Sequence, residues 1–282
     1  MNKRRVVITG LGVLAPNGNT TSEYWDSISK GKSGIGYITK FDAQNLSVKI
    51  AGELSGFNAE DFFDRKDIKR LDPFTIYSIV TTEEALKQSN LDNSNVNMER
   101  VGVIYGTGVG GIQTLEEQHG IYSNRGQRRV SPFFVPRMIA NIAAGNLAIK
   151  YGFQGPNHTV ISACASGTDA IGCAARTIQY GDADVMITGG SEASITGLTI
   201  SGFANIKGYE VGGKTGTAQK TKAGRYSKNK VNTFVAVFPT SKPKYVLIVL
   251  LDEPKPNKEY IYDYKDGSGL KYKGTAYNTA GW

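Results

Sequence analysis

The chain has 282 residues, of which 40% are hydrophobic, enough for one large domain or two ordinary ones around a buried core. Its formal net charge of +8 is uneven, since residues 1–207 carry 20 Lys+Arg against 19 Asp+Glu and residues 208–282 carry 13 against 6. The tail lysines alternate with strand-forming residues and no helix-turn-helix, zinc or base-stacking pattern accompanies them, so nucleic acid is not an expected partner. Nor is a membrane, because the longest apolar run, residues 245–251, falls far short of the roughly 20 residues that a spanning helix needs.

In chain order, MNKRR followed by VVITGLGVLA imitates the charged and apolar regions of a secretory signal. The β-branched run at residues 6–9, the glycines Gly10 and Gly12 and the lack of a small-residue cleavage site before Pro16 favour a strand over residues 5–9 and then a turn. Thr20, Thr21, Ser22 and Glu23 form a capping box for a helix through Trp25 and Ile28, stopped by Gly31. Asp72 and Pro73 supply a cap and a first-turn proline to a helix reaching about Gln88. Residues 101–105 read as a strand. Pro136 starts a helix with Ile139, Ile142, Ala143 and Leu147 on one face and Gly152 just past its end. A strand at 159–163, a helix at 166–180 ended by Gly181 and a strand at 185–188 follow. Alternating strands and helices predict an α/β fold with a mainly parallel sheet and helices on both faces. After Lys207 the texture becomes an antiparallel meander: a glycine-rich entry to Lys214, Thr215, Gly216 and Thr217, a strand at 232–238, a turn at 239–243 and a strand at 244–251, with no periodicity beyond Asp252.

Cys164 lies at the strand-to-helix junction TVISACASG. Unpaired N–H groups and the dipole at a helix N-terminus favour a thiolate there, and the small residues Ala165, Gly167, Ala170, Gly172, Ala174 and Ala175 let the helix pack tightly on every side. Spacing alone leaves two readings open, a nucleophile or a small buried hydrophobe. Two cysteines imply no disulfide framework. If Cys164 and Cys173 share a helix, nine residues turn through about 900° and set them on opposite faces, unable to pair, which fits a reducing cytoplasm. Gly106, Gly108 and Gly111 match the spacing of a dinucleotide-binding loop, but no acidic residue stands about 20 positions further on in a suitable strand, so nucleotide binding is not expected.

The segments RRVVITGLGVLAPNGNT, WDSISKGKSGI, RLDPF, GTGVGG, SPFFVPRMIANIAAG, ISACASG, YGDADVMITGGSEA and GFANIK occur in an order that resembles the second type of elongating β-ketoacyl-acyl-carrier-protein synthase. That resemblance covers residues 1–207, the N-terminal half of such an enzyme. It implies a thiolase-like fold, with Cys164 as the residue that takes an acyl chain from acyl carrier protein before condensation with malonyl-acyl-carrier protein in fatty acid biosynthesis. It further implies an acyl pocket near Val109 and Phe133 and a homodimer formed through the strand before Cys164. The family completes its site with two histidines, a lysine and a glycine-phenylalanine loop in its second half. Here the only histidines, His119 and His158, both precede Cys164 and lie outside the family's catalytic segments, so condensation is not expected.

Residues 208–282 resemble a different family: GYEVGGKTGTAQK, NTFVAVFP and YVLIVLLDEP look like the end of the transpeptidase domain of a class B penicillin-binding protein. In that family a K-T-G strand binds a substrate carboxylate, the role implied for Lys214, Thr215 and Thr217, and a serine and lysine in S-x-x-K with a polar S-x-N complete the centre. Ser27 to Lys30 fits S-x-x-K but lies in the synthase-like part, and Ser227 to Asn229 fits S-x-N but follows K-T-G, reversing the family order. This second site reads as incomplete. The expectation is therefore a synthase-like N-terminal part joined near Lys207 to a small antiparallel tail, with no cofactor and no metal. A noncatalytic interaction protein and a penicillin-binding remnant are the other readings.

Overall fold

The computed structural model describes residues 4–46, 48–91, 96–204, 212–222, 225–238, 245–252, 261–263 and 271–273. Its internal contacts form two units, Met1–Lys40 with Ala51–Thr199, and Phe41–Ile50 with Ile200–Trp282. The expected junction at Lys207 and Gly208 lies outside the described residues.

The expected strand over residues 5–9 does not form. Residues 4–14 run without a ladder, and the Leu11 and Val13 N–H groups donate to Gln88 Oε1 (2.6 Å) and Glu84 Oε2 (2.8 Å). Strand-forming residues need a neighbouring pleated surface, and this segment meets a helix instead. A Cβ on Gly10 or Gly12 would stand 2.0 or 1.8 Å from the carbonyl oxygens of Ala85 and Thr81, so only glycine allows the approach.

Helix α1 (Thr21–Ser29) starts at the expected box, with Thr20 Oγ1 accepting from Glu23 N (3.2 Å) while Glu23 Oε2 reaches back to Asn19 N (2.9 Å). Two short strands, β1 (Gly36–Tyr37) and β2 (Ile50–Ala51), and a helical turn, α2 (Arg65–Ile68), precede helix α3 (Pro73–Ser89). Pro73 opens α3 as its spacing predicted, and buried Asp72 caps it by accepting from Phe74 N (3.2 Å). The other oxygen of Asp72 accepts from Thr114 N (3.0 Å) and Thr114 Oγ1 (2.6 Å), tying α3 to helix α4 (Ile112–Arg125).

The sheet of this unit has the order β4–β3–β5 and is parallel throughout, from β3 (Val101–Gly106), β4 (Asn157–Val160) and β5 (Val185–Gly190). All six residues of β3 are buried. Val101, Val103 and Tyr105 face one side and pack with Phe74, Ala143, Ala144, Leu147 and Phe153; Ile104 faces the other and meets Ala170 and Ala174. That alternation is the period of a strand buried on both faces. Helix α7 (Ser166–Tyr180) covers the second face as the sequence predicted, and Gly181 (φ +86°) ends it.

Two boundaries in this unit's middle, around α5–α6 and β4, depart from expectation. The single helix expected from Pro136 is two, α5 (Phe134–Met138) and α6 (Ile142–Tyr151), with Ile139 extended between them. The Met138 carbonyl, which a continuous helix would offer to Ile142, accepts from Gly111 N (3.0 Å) instead, and Ile142 N turns to Ile139 O (3.1 Å). The strand expected at 159–163 lies at 157–160, because its partner β3 ends at Gly106, opposite Val160. Helix α8 (Gly197–Ala204) is the last described helix.

The second unit holds the expected meander, β6 (Gly212–Lys222), β7 (Arg225–Phe238) and β8 (Tyr245–Asp252), antiparallel in the order β6–β7–β8, although β7 opens seven residues before the expected 232, where Arg225 and Tyr226 pair with Lys222 and Thr221 of β6. Beyond Asp252, where no strand was expected, β9 (Ile261–Asp263) and β10 (Lys271–Lys273) pair antiparallel; such three-residue strands are too short to leave a periodic signal.

Candidate active site

After Val160 the chain leaves the sheet and reverses sharply into α7. Ala163 holds φ +52°, one of two non-glycine residues with positive φ among those described, and opens a short 3-10 turn, Ala163–Ala165, whose middle residue is Cys164. An alanine held there costs on the order of 1–2 kcal/mol, so its surroundings must enforce it. They do so through Ser166, whose hydroxyl accepts from Ser162 N (2.9 Å) and donates to Ala163 O (2.7 Å), and through Ser162 Oγ, which donates to Asp169 Oδ2 (2.5 Å). Cys164 is a free, exposed thiol, whereas Cys173 is half-buried beside Ile104, Ala170 and Ala174. The elbow also explains the small residues: a Cβ on Gly106 would lie 2.3 Å from Ser166 O, and one on Gly190 2.8 Å from Gly167 Cα. The N-terminus of α7 therefore rests directly on the ends of β3 and β5.

The glycine loop follows β3 and stands beside this elbow. A Cβ on Gly108 would come within 3.6 Å of Ala163 O, the carbonyl of the residue before Cys164. Glu192, just after β5, holds the loop: Oε2 accepts from Gly108 N (2.7 Å) and Val109 N (3.2 Å) and lies 3.4 Å from Thr107 Oγ1, which in turn accepts from Gly110 N (3.1 Å). Val109 is 48% exposed. Glu192 drew no role from the sequence; its signal was an acidic residue two positions after a glycine pair at the end of a strand.

Phe133, the other expected pocket residue, sits just before α5, half-exposed, with the Arg70 guanidinium 5.3 Å from its ring centre. Its segment is pinned by buried Gln118, whose Oε1 accepts from Ser131 N (2.7 Å). Among the described residues no hydrogen bond or ring contact joins Phe133 to Cys164. His119 lies on α4 and His158 on β4 opposite Ile104, both exposed. Ser27 lies in α1, and Lys30 caps its end, paired with Asp26. In the second unit Lys214, Thr215 and Thr217 lie on β6, in register with Val235, Phe234 and Asn232 of β7. Among the described residues no cluster of three or more His, Cys, Asp or Glu could hold a metal ion, and no helix is long and apolar enough to cross a membrane.

Comparison with known proteins places this geometry. A family model described as "Beta-ketoacyl synthase, N-terminal domain" matches residues 3–224, and one described as "Penicillin binding protein transpeptidase domain" matches residues 184–274. Similar relatives include 3-oxoacyl-[acyl-carrier-protein] synthase 2 of Synechocystis sp., 44% identical over 207 residues, and that of Staphylococcus aureus, 48% identical over 201. The matches cover 73% and 71% of this chain but 50% and 49% of the relatives, so the chain spans about half their length. Solved structures with the same fold include a type II PKS acyl-carrier protein in complex with its ketosynthase, at TM-score 0.62 and 29% identity, covering 71% of this chain and 53% of that one. A β-ketoacyl synthase from Burkholderia phymatum also aligns at TM-score 0.62, with 26% identity over 72% of this chain and 50% of that one. The ishigamide ketosynthase/chain length factor, at TM-score 0.66 and 22% identity over 73% of this chain and 53% of that one, shares the fold.

Proposed function

The chain belongs to the β-ketoacyl synthase family through its N-terminal domain, and from that premise we propose that it is an acyl acceptor in which Cys164 takes an acyl group from an acyl-carrier-protein thioester. The Cys164 Sγ attacks the thioester carbonyl, a new carbon–sulfur bond forms as the old one breaks, and the proton from the Cys164 thiol leaves on the departing carrier thiol. The observation that carries this reading is the exposed cysteine on a strained elbow, seated at the start of α7 and faced by the glycine loop. Val109 and Phe133 are the residues we assign to the acyl chain. The acyl-carrier-protein complex of the similar ketosynthase supports the choice of donor.

Condensation is a separate matter. Loss of carbon dioxide from a malonyl thioester leaves an enolate that needs preorganised donors, and no histidine follows Cys164. We therefore propose that this chain by itself is acylated but does not condense the acyl group with malonyl-acyl-carrier protein. We also assign it to the cytoplasm, to a homodimer formed through β4, and to two parts, 1–207 synthase-like and 208–282 a transpeptidase-like tail.

The test is to incubate the full chain with acyl-carrier protein bearing a labelled acyl group and to map the adduct by mass spectrometry. A thioester on Cys164, absent in Cys164→Ala and yielding no ketoacyl product when malonyl-acyl-carrier protein is added, is expected. Labelling of Cys173 at an equal rate would sink the reading. The match at residues 184–274 favours a second reading, a penicillin-binding remnant with Lys214, Thr215 and Thr217 on its K-T-G strand. Covalent labelling by penicillin, mapped to a residue within 184–274, would support it.

A further inference from the structure

Glu192 ties the turn after β5 to the glycine loop, a link on which the acyl-acceptor reading depends but which it does not itself explain. Its Oε2 gathers the N–H groups of Gly108 and Val109, and its Oε1 accepts from Ser194 Oγ (2.8 Å), so the carboxylate is held at both oxygens. The residue before it is anchored too: Ser191 N donates to Gly106 O (3.1 Å) and Ser191 Oγ to Phe74 O (2.7 Å), fixing this turn to the end of β3 and to α3. Gly108 lies close to both the carboxylate and the cysteine elbow, since a Cβ there would stand 2.8 Å from Glu192 Oε2 and 3.6 Å from Ala163 O. A carboxylate only accepts, and two consecutive backbone N–H groups aimed at one oxygen give a loop a single preferred position. Without that acceptor the middle of the loop, Gly108 and Val109, loses its tie to the scaffold, because the other bonds hold only the loop's ends, Thr107 N to Val160 O (3.3 Å) and Gly111 N to Met138 O (3.0 Å), or are local to it, Gly110 N to Thr107 Oγ1.

We infer that Glu192 is a positioning residue, whose carboxylate fixes the 107–111 loop against the Cys164 elbow and thereby sets how Val109 discriminates among acyl chain lengths. The inference rests on the reading of Cys164 as acyl acceptor and Val109 as a pocket residue. It adds to that reading the group that decides where the pocket wall stands. Glu192 touches neither the reacting sulfur nor the acyl carbonyl; it acts through the loop.

The test compares full-length wild type, Glu192→Ala and Glu192→Gln by two readouts that a merely structural role would not move together. One is hydrogen exchange at the loop amides. The other is the ratio of Cys164 alkylation rates with long-chain and short-chain N-alkyl iodoacetamides, which needs no acyl carrier. In Glu192→Ala the Gly108 and Val109 amides are expected to exchange about tenfold faster or more, with the rest of β3 and α7 still protected and the chain-length ratio shifted by about tenfold, because small displacements of positioning groups cost up to about 10² in rate. Glu192→Gln keeps an acceptor oxygen and is expected to shift the ratio in the same direction by only about threefold, since a neutral acceptor is roughly half as strong. Unchanged exchange and an unchanged ratio in Glu192→Ala would overturn the inference, as would loss of protection spread evenly over the unit. Should Glu192→Ala fail to fold, Glu192→Gln is read in its place, and no shift in it would be equally decisive. Failure of wild type to accept an acyl group from carrier protein would refute the acyl-acceptor reading, while the alkylation ratio and the exchange still decide the role of Glu192.

Discussion

Two strands of similar apolar sequence, β3 in the first unit and β8 in the second, have opposite environments. VGVIYG is paired on both edges and buried at every residue, with one face on Phe74 and Leu147 and the other on Ala170 and Ala174. YVLIVLLD is the outer strand of β6–β7–β8, and Val246, Leu247, Ile248, Val249 and Leu250 are all between 37% and 65% exposed. An apolar β-branched run thus specifies a strand but not its burial, which depends on helices elsewhere in the chain presenting matching faces. A long, exposed apolar edge is also a template for pairing between chains.

Substitutions in the buried unit and on exposed β8 can break or sharpen this contrast. The largest effect is expected from Leu147→Ala, which empties a fully buried site between α6 and the sheet and should cost about 2–5 kcal/mol. Urea unfolding followed by near-ultraviolet circular dichroism would show it; a loss below about 1 kcal/mol would mean that this core is loosely packed.

Next comes Asp72→Ala, which strips buried Phe74 and Thr114 of their acceptor and should cost about 1–3 kcal/mol in all. Burial pushes the Asp72 carboxyl up, outweighing the bonds from Thr114 and Phe74 that pull it down. The folded state therefore holds this proton at a pH where the unfolded chain has released it. The contribution is fully present below the ordinary carboxylate range and declines as pH rises through the raised value. Asp72→Asn should flatten that part of the stability–pH curve; an identical slope in both proteins would contradict the burial argument.

The smallest effect on stability belongs to Ile248→Lys on exposed β8, expected within about 0.5 kcal/mol of wild type. Its readout is association instead. Light scattering should fall as the charge blunts the edge, and undiminished scattering would place the sticky surface elsewhere.

The sequence by itself determined the elements whose signals are local: the Thr20 and Asp72 caps, Pro73 at the first turn of α3, Gly152 and Gly181 at helix ends, the strand β3 and the meander from β6 to β8. Each rests on contacts within a few residues or on a period that burial repeats. It also placed Cys164 at a strand-to-helix junction, because that junction is written in consecutive residues. What only the tertiary structure decided depends on groups distant in the chain. Residues 5–9 had every local mark of a strand, yet their segment lies on α3, where Gln88 and Glu84 take the N–H groups of Leu11 and Val13. The helix after Pro136 broke because Gly111, more than twenty positions earlier, took the Met138 carbonyl. Glu192 acquired its partners only when β3 and β5, far apart in sequence, were laid side by side, which set its carboxylate against a loop 84 positions away.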